Sequence, residues 1–318
     1  QAVEVDVDCI SDGETAVVGG IMEHVEEAGV HSGDSAFVTP PYHLSEAVLR
    51  EIREQTIALA HELDIVGLMN VQFAVQNHKV YVLEVNPRAS RTIPFISKSI
   101  GEPLAGYASR AMLGETLQEM GFTEEIIPRA FSAKESVFPF NKFPEVDTLL
   151  GPEMKSTGEV MGIDPDFNLA YLKAEIAASN RPPESGTVFL SVRDEDKWAT
   201  VPVAETLLEL GYDIIATRGT RDYLAQHGLE VQLVNKVKEG QPHIVDALIN
   251  GDVDMVINTT AGAQSIKDSR SIRRTTLNQG IPYFTRLSAA KACVNAMREL
   301  RTKQPSVKSI QEYHRELK

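Results

Sequence analysis

The stretch Val82–Arg91, VLEVNPRASR, places Glu84, Asn86, Arg88 and Arg91, two oxygen donors and two fixed cations, in one short segment. It overlaps an alternating run, Lys79–Val85, that reads as a β-strand. The run before it, Val66–Val75 (VGLMNVQFAV), is rich in apolar and branched residues and ends at the polar turn Gln76-Asn77-His78. The two runs predict a hairpin. If Gln76 pairs with Val80 across a three-residue loop, Gln72 falls opposite Glu84 and Asn70 opposite Asn86. The two-residue period then puts all four side chains on one face. Magnesium takes hard oxygen ligands and keeps part of its shell for water and phosphate, so one carboxylate and a few amide oxygens on a rigid hairpin suffice. The planar guanidinium groups of Arg88 and Arg91 would face the same anion. The pattern points to a magnesium-bound polyphosphate; the plainer alternative is an edge hairpin with a merely solvated polar face.

A chain of 318 residues with 42% apolar content has material for two domains with separate cores. The formal charge of −14 is uneven: residues 1–178 hold 12 Lys and Arg against 28 Asp and Glu (−16), and residues 179–318 hold 19 against 17 (+2). Neither part has the clustered basic residues that duplex nucleic acid requires, so nucleic acid is not expected as a partner. No apolar run approaches the roughly 18 residues of a membrane span, and the first residues, QAVEVDVDCISDGE, form neither a signal nor a transit sequence. Cys9 and Cys293 lie far apart without metal-ligand spacing, which suits a reducing compartment. A soluble cytoplasmic protein is expected.

In chain order, an acidic alternating strand starts at Val3, turns at Ser11–Glu14 and leads into a second strand. With no initiating Met and no Gly-rich phosphate-covering loop before it, the sheet is expected to be a piece of a longer chain. Met22–Ser35 (MEHVEEAGVHSGDS) reads as a loop, and on composition alone His24, Glu26 and Glu27 form an exposed helix face. Ser45–Leu63 has helical spacing with Ser45 as cap. Further helices are expected over 97–113 and 116–120, and a strand over 129–137. The Pro-rich, polar run 179–185 reads as a linker, placing a boundary after residue 178. Beyond it strands and helices alternate for about 130 residues, the pattern of a doubly wound parallel sheet. Such sheets bind ligands at the carboxyl ends of their strands. Those ends carry Thr217, Thr220, Asn258, Thr259 and Thr260, with Lys197 after the first strand. Together they make a modest phosphate cradle, though ordinary threonine capping would account for each loop singly.

Glu84-Val-Asn86-Pro-Arg88, with Arg91 after it and Gln72 one strand earlier, resembles the metal and phosphate motif of the ATP-grasp ligases. EVNPRASRTIPFISK together with KESVFPF (Lys134–Phe140) is more closely similar to the second ATP-grasp half of the carbamoyl phosphate synthetase large subunit. LVNKV, INTTAG and DSRSIRR resemble the methylglyoxal-synthase-like regulatory domain at the end of that subunit. The resemblance implies an α/β protein: an α+β ATP-grasp portion over 1–178, then a doubly wound parallel-sheet domain over 179–318. It implies ATP, Mg2+ or Mn2+, and K+ as cofactors. Arg88 and Arg91 would act on the transferring phosphoryl group; Gln72, Glu84 and Asn86 would hold the divalent metals. Glu4, Gly29, Val30, His31, Ser32, Gln72 and Glu84 would contact the nucleotide, and His24 and Glu26 a monovalent cation. Glu26, Asp34 and Glu135 would hold the amine of ornithine. Lys197, Thr217, Thr220, Lys236, Asn258, Thr259 and Thr260 would bind UMP or IMP. That second domain shows no synthase-type catalytic carboxylate after Thr260, which implies a sensor.

The implied activity is phosphorylation of carbamate, formed from bicarbonate and ammonia, the ammonia coming from a glutaminase small subunit. The implied assembly is a homo-oligomer of such heterodimers, and the implied roles are arginine and pyrimidine biosynthesis. By the same resemblance the missing sequence would be the first ATP-grasp half and the opening of the second, leaving this piece inactive alone. Two alternatives stand beside this: a non-catalytic regulatory piece, or another ATP-grasp ligase, such as a biotin carboxylase relative, against which the C-terminal sensor argues.

Overall fold

The computed structural model describes residues 2–143 and 146–317, apart from the side chains of Glu27 and Leu317. Two compact units emerge. One comprises residues 1–136, 160–174 and 305–318, the other residues 137–159 and 175–304. The units are interleaved and do not coincide with a single cut after residue 178.

The first unit is built on strands β1 (Val3–Asp12), β2 (Ala16–Glu27), β3 (Phe37–Thr39), β4 (Val66–Gln76), β5 (Lys79–Asn86), β6 (Phe131–Val137) and β7 (Gly158–Asp164). They form a seven-stranded sheet in the order β5-β4-β1-β2-β3-β6-β7. Strand β1 lies inside the sheet with both edges paired and is buried on both faces, so its alternation sorts side chains between two layers. Val5, Val7 and Cys9 join Val48, Leu49 and Ile52 of helix α1 (Glu46–Glu62) in one core. Ile10 joins a second core on the other face, with Ile93, Phe95 and Ile96 of α2 (Ile93–Ile100) and Leu104 and Ala108 of α3 (Leu104–Met112). Helix α1 starts where expected, with the Ser45 hydroxyl accepting from Val48 N at 3.5 Å. The helix expected over 97–113 is instead two. Gly101 takes the left-handed conformation (φ 77°), ending α2, and Pro103 precedes α3. The short α4 (Leu117–Met120) and α5 (Phe167–Ala177) follow, and α5 carries the cut between the units.

The hairpin forms with a different turn. Gln76 pairs with Lys79, not Val80, so the loop is the two residues Asn77 and His78, both at positive φ (51° and 62°) as a tight hairpin turn requires. That alone would slip every later pair by one. A bulge at Leu83 compensates: Phe73 faces Val82, but Gln72 faces Glu84 and Asn70 faces Asn86, as the sequence predicts.

The second unit holds a five-stranded, all-parallel sheet in the order β10-β9-β8-β11-β12, formed by β8 (Thr187–Ser191), β9 (Asp213–Ala216), β10 (Gln232–Leu233), β11 (Met255–Asn258) and β12 (Tyr283–Phe284). Crossover helices α6 (Lys197–Glu209), α7 (Arg218–Gln226), α8 (Ile244–Asn250), α9 (Gly262–Asp268) and α10 (Arg270–Asn278), and a helix after the last strand, α11 (Leu287–Glu299), complete it. Phe189, Val256, Ile244, Leu248 and Ile272 form its core. The helix expected from Ser269 to Gln279 is α10, and α9 before it was not anticipated. The segment 137–159 is tied to this unit through the buried Arg273, whose Nε and Nη2 donate to Asp147 Oδ1 (2.8 Å) and Oδ2 (2.6 Å). A last helix, α12 (Ile310–Leu317), returns to the first unit, where the buried Tyr313 donates its hydroxyl to Ile163 O at 2.8 Å. Among the described residues no helix is long and apolar enough to cross a membrane.

Candidate functional site

In the first unit, register rather than sequence proximity assembles the polar face. Opposite residues in antiparallel strands share a face, so β1, β4 and β5 align two rows: Asp6, Gln72 and Glu84, then Asp8, Asn70 and Asn86. Glu4 continues the β1 edge of this face, and His24 of β2 joins it through Nε2, 2.8 Å from Asp6 Oδ2 with both side chains buried. Glu84 is exposed on the sheet edge, while Asn70 is buried and donates to Asp8 Oδ1 (3.0 Å) and Asp6 Oδ1 (3.3 Å). Gln72 Nε2 donates to Ser32 Oγ at 3.4 Å, which links the hairpin to the Gly29–Ser32 turn. Within that turn Gly29 has φ 107°, a conformation L side chains avoid, Val30 is buried, and His31 is exposed with Nδ1 accepting from Gly33 N. Arg88 and Arg91 are both exposed, and Arg88 Nη2 donates to Asn86 Oδ1 at 3.2 Å.

The expectation for His24 and Glu26 fails in its local structure. They lie on strand β2, not on an exposed helix face, and both are buried. The side chain of Glu27 lies outside the described residues. Glu26 Oε2 accepts from Ser35 Oγ and Ala36 N, each at 2.7 Å, and burial raises its carboxyl above the ordinary range despite those bonds. The turn is closed by Lys134, a residue the sequence did not single out. Its buried ammonium donates to Gly33 O (3.1 Å), Ser35 O (2.7 Å) and Ser136 Oγ (2.7 Å). Asp34 sits fully buried in the same turn, and Glu135 follows Lys134 with Oε1 accepting from Ser136 N at 2.8 Å.

Two further carboxylates were missed, Asp6 and Asp8, because in the sequence they read as the acidic half of an alternating strand. Burial pushes Asp8 up to about 6, opposed by hydrogen bonds from Thr92, Asn70 and Ser90. Burial also raises Glu4, whose Oε2 is sequestered and lacks a hydrogen-bond partner among the described residues. An orphaned acceptor beside Gly29 fits a ligand hydroxyl. The donor set of Gln72, Glu84 and Asn86, one carboxylate and two amides, is all oxygen and fits magnesium or manganese rather than a thiophilic metal. Among the described residues no three His, Cys, Asp or Glu side chains converge as a metal set, so any divalent ion here would rely on the amides and on its ligand's phosphates.

In the second unit a cleft of about 500 Å³ opens at the carboxyl ends of β8, β9 and β11. Lys197, Thr217, Thr220, Lys236 and Thr259 line it, together with Ser191, Arg193, Lys238 and Ser269, which the sequence did not indicate. Thr220 Oγ1 accepts from Val192 N (3.1 Å) and Thr259 Oγ1 from Arg193 N (3.0 Å), so both hydroxyl protons remain to donate. Asn258 and Thr260 stand outside the lining. Asn258 is buried at the end of β11, its Oδ1 without a hydrogen-bond partner among the described residues. The cleft does contain carboxylates, each already engaged: Asp194 with Lys197 (2.7 Å), Asp268 with Lys238 (2.6 Å), and Glu239 accepting from Lys236 N (2.9 Å).

One chain thus carries a sheet with a polar face of carboxylates and amides and a parallel sheet with a cleft of about 500 Å³ at its strand ends. Residues 1–120 match the carbamoyl-phosphate synthase L chain ATP binding domain, and residues 199–285 match the MGS-like domain. The chain is a homologue, over its whole length, of the carbamoyl phosphate synthase large chain. It is 54% identical over 317 residues to that of Pasteurella multocida, 53% over 318 to that of Neisseria meningitidis, and 52% over 316 to that of Archaeoglobus fulgidus. These alignments cover 99 to 100% of this chain and 29 to 30% of each relative, so the chain spans about 30% of the length of the curated relatives it matches. Among solved structures, a biotin carboxylase domain of a single-chain bacterial carboxylase aligns over 56% of this chain and 47% of its own, with a TM-score of 0.46 and 18% identity.

Proposed function

We propose that this chain forms the carbamate-phosphorylating half-site and the effector domain of a carbamoyl phosphate synthase large chain. The observation that carries it is the two-row face, Asp6-Gln72-Glu84 and Asp8-Asn70-Asn86, opening onto the loop of Arg88 and Arg91. In the reaction a carbamate oxygen attacks the γ-phosphorus of ATP, the bond to ADP breaks, and carbamoyl phosphate and ADP leave. Such a transfer needs alignment and charge neutralisation, with no protein nucleophile. Gln72, Glu84 and Asn86 would hold the divalent cation, which neutralises the polyphosphate when bound. Arg88 and Arg91 supply planar donors to the transferring oxygens. Glu4 accepts from the nucleotide sugar, and the turn Gly29–Ser32 presents its backbone beside it.

The same proposal includes K+ at His24 and Glu26, and ornithine at Glu26, Asp34 and Glu135. It includes a glutaminase small subunit supplying ammonia, assembly as an oligomer of such heterodimers, and a cytoplasmic location. The test of the half-site is ATP synthesis from carbamoyl phosphate and Mg-ADP by a full-length large chain carrying this segment. Loss on substituting Arg88 and Arg91 by alanine supports it, and unchanged rates refute it.

For the cleft of the second unit we propose nucleoside monophosphates, UMP or IMP, held through the phosphate by Lys197, Lys236 and the threonine hydroxyls. Thr220→Ala combined with Lys236→Ala removes a hydroxyl donor and a cation. Charge-assisted bonds contribute about 1.5 to 3 kcal/mol each, so the expected loss of affinity is at least about tenfold, read by calorimetric titration with UMP and IMP. Undiminished binding by the double variant would place the nucleotide elsewhere.

A further inference from the structure

The loop between β5 and α2 carries both arginines. Arg88 and Arg91 are exposed, whereas the residues on either side of Arg91 are anchored. Ser90 Oγ donates to Asp8 Oδ1 at 2.8 Å and Thr92 Oγ1 to Asp8 Oδ2 at 2.5 Å. The Asp8 carboxylate is fully buried on the interior strand β1. Its Oδ1 also accepts from Asn70, which faces Asn86, the residue just before the loop. One carboxylate therefore grips the strand beneath the loop and both hydroxyls flanking Arg91. An amide in its place accepts through one oxygen only, and three donors could not be satisfied as they are now.

We propose that Asp8 is a positioning residue for phosphoryl transfer: by pinning Ser90 and Thr92 to the central sheet it holds Arg88 and Arg91 where the transferring phosphoryl group sits. This rests on the half-site assignment above. A buried, hydrogen-bonded strand behind solvent-facing cations is an arrangement that keeps guanidinium donors aligned without burying them. Asp8 touches no substrate; it acts through the loop.

The experiment measures ATP synthesis from carbamoyl phosphate and Mg-ADP in the full-length large chain, with thermal midpoints recorded for every variant. Asp8→Asn is near isosteric, and the hydroxyls of Ser90 and Thr92 can turn to accept from it, so folding is expected to persist. A misplacement of about 1 Å costs up to about a hundredfold in rate. The expected result is a fall in kcat of at least about tenfold, with KM for Mg-ADP changed less than about threefold. Ser90→Ala with Thr92→Val should reproduce that fall. Adding Asp8→Asn to that pair should cost nothing more, because all three substitutions remove one network. If Asp8→Asn does not fold, the Ser90→Ala/Thr92→Val variant decides alone. Unchanged kcat in the folded variants, or effects that multiply, would overturn the positioning role while leaving the half-site intact, provided Arg88→Ala/Arg91→Ala is impaired. If that arginine variant is itself unimpaired, the half-site assignment and the role of Asp8 fall together.

Discussion

Glu84→Ala should reduce ATP synthesis from carbamoyl phosphate and Mg-ADP by about 10² to 10³-fold in the full-length large chain, with the thermal midpoint hardly moved. The two halves of that expectation have separate causes. Glu84 is exposed on the edge strand and packs no core, and surface substitutions of that kind usually change stability by no more than about 0.5 kcal/mol. It is, however, the one carboxylate in the donor set with Gln72 and Asn86. Removing a single group that stabilises charge developing in a transition state costs about 10² to 10³ in rate. Glu84→Gln, which keeps the shape and loses the charge, should resemble the alanine variant in rate. A Glu84→Ala enzyme with the parent's rate would mean that the hairpin face is only solvated.

Asp147→Ala is expected to destabilise the second unit by about 3 kcal/mol in urea titration. Arg273 is almost completely buried, and its Nε and Nη2 both end on Asp147, with Ile266 O accepting a further bond from Nη2 at 2.9 Å. Its Nη1 has no hydrogen-bond partner among the described residues, so little remains to satisfy the charge once the carboxylate is gone. Removing one member of a buried ion pair costs about 3 to 5 kcal/mol; the half-buried Asp147 argues for the lower end. Arg273→Met/Asp147→Ala should recover most of the loss, since no unpaired charge is left. The pH dependence has a definite sign. Burial alone would raise the Asp147 carboxyl, but the Arg273 guanidinium outweighs it and holds the group below its ordinary value. The stabilisation is therefore complete above the unfolded carboxylate range near pH 3.9 and disappears as the pH falls through the lower folded value. Parent and Asp147→Ala should converge in stability in acid. An unaltered urea midpoint at neutral pH would show that the pair contributes nothing.

The pairing of Gln72 with Glu84 and Asn70 with Asn86 was legible because alternation on two strands fixes a face once the register is known. The turn was not: a two-residue loop and a bulge at Leu83 shift the register twice in opposite directions, and the two errors cancel. His24 and Glu26 were misread for a different reason. A stretch as charged as MEHVEE looks solvated in isolation, and what allows its burial comes from elsewhere: Asp6 on the neighbouring strand and the Ser35–Ala36 donors. Lys134 and Asp8 were invisible for the same reason, since their partners, Gly33 and Ser35 in one case and Ser90 and Thr92 in the other, are some eighty to one hundred residues away. In the parallel-sheet unit the strand and helix order was plain in the sequence. Two of the cleft's four cations, Arg193 and Lys238, were not, because only the folded strand ends bring those loops to one mouth.

The return of α12 to the first unit imposes an order on synthesis. Tyr313 on Ile163, Arg129 on Glu316 O (3.4 Å) and His314 on Lys98 O (2.6 Å) tie the end of the chain to residues made well over a hundred positions earlier. On the ribosome residues 175–304, which with 137–159 make up the other unit, must all emerge before those contacts can form. The first unit is therefore begun before the second and completed after it: its strands can pair early, but the surfaces meant for α12 stay uncovered until residues 310–317 have been made. A nascent chain stalled in the parallel-sheet unit would carry an incomplete first unit, and those surfaces are where a chaperone would find it.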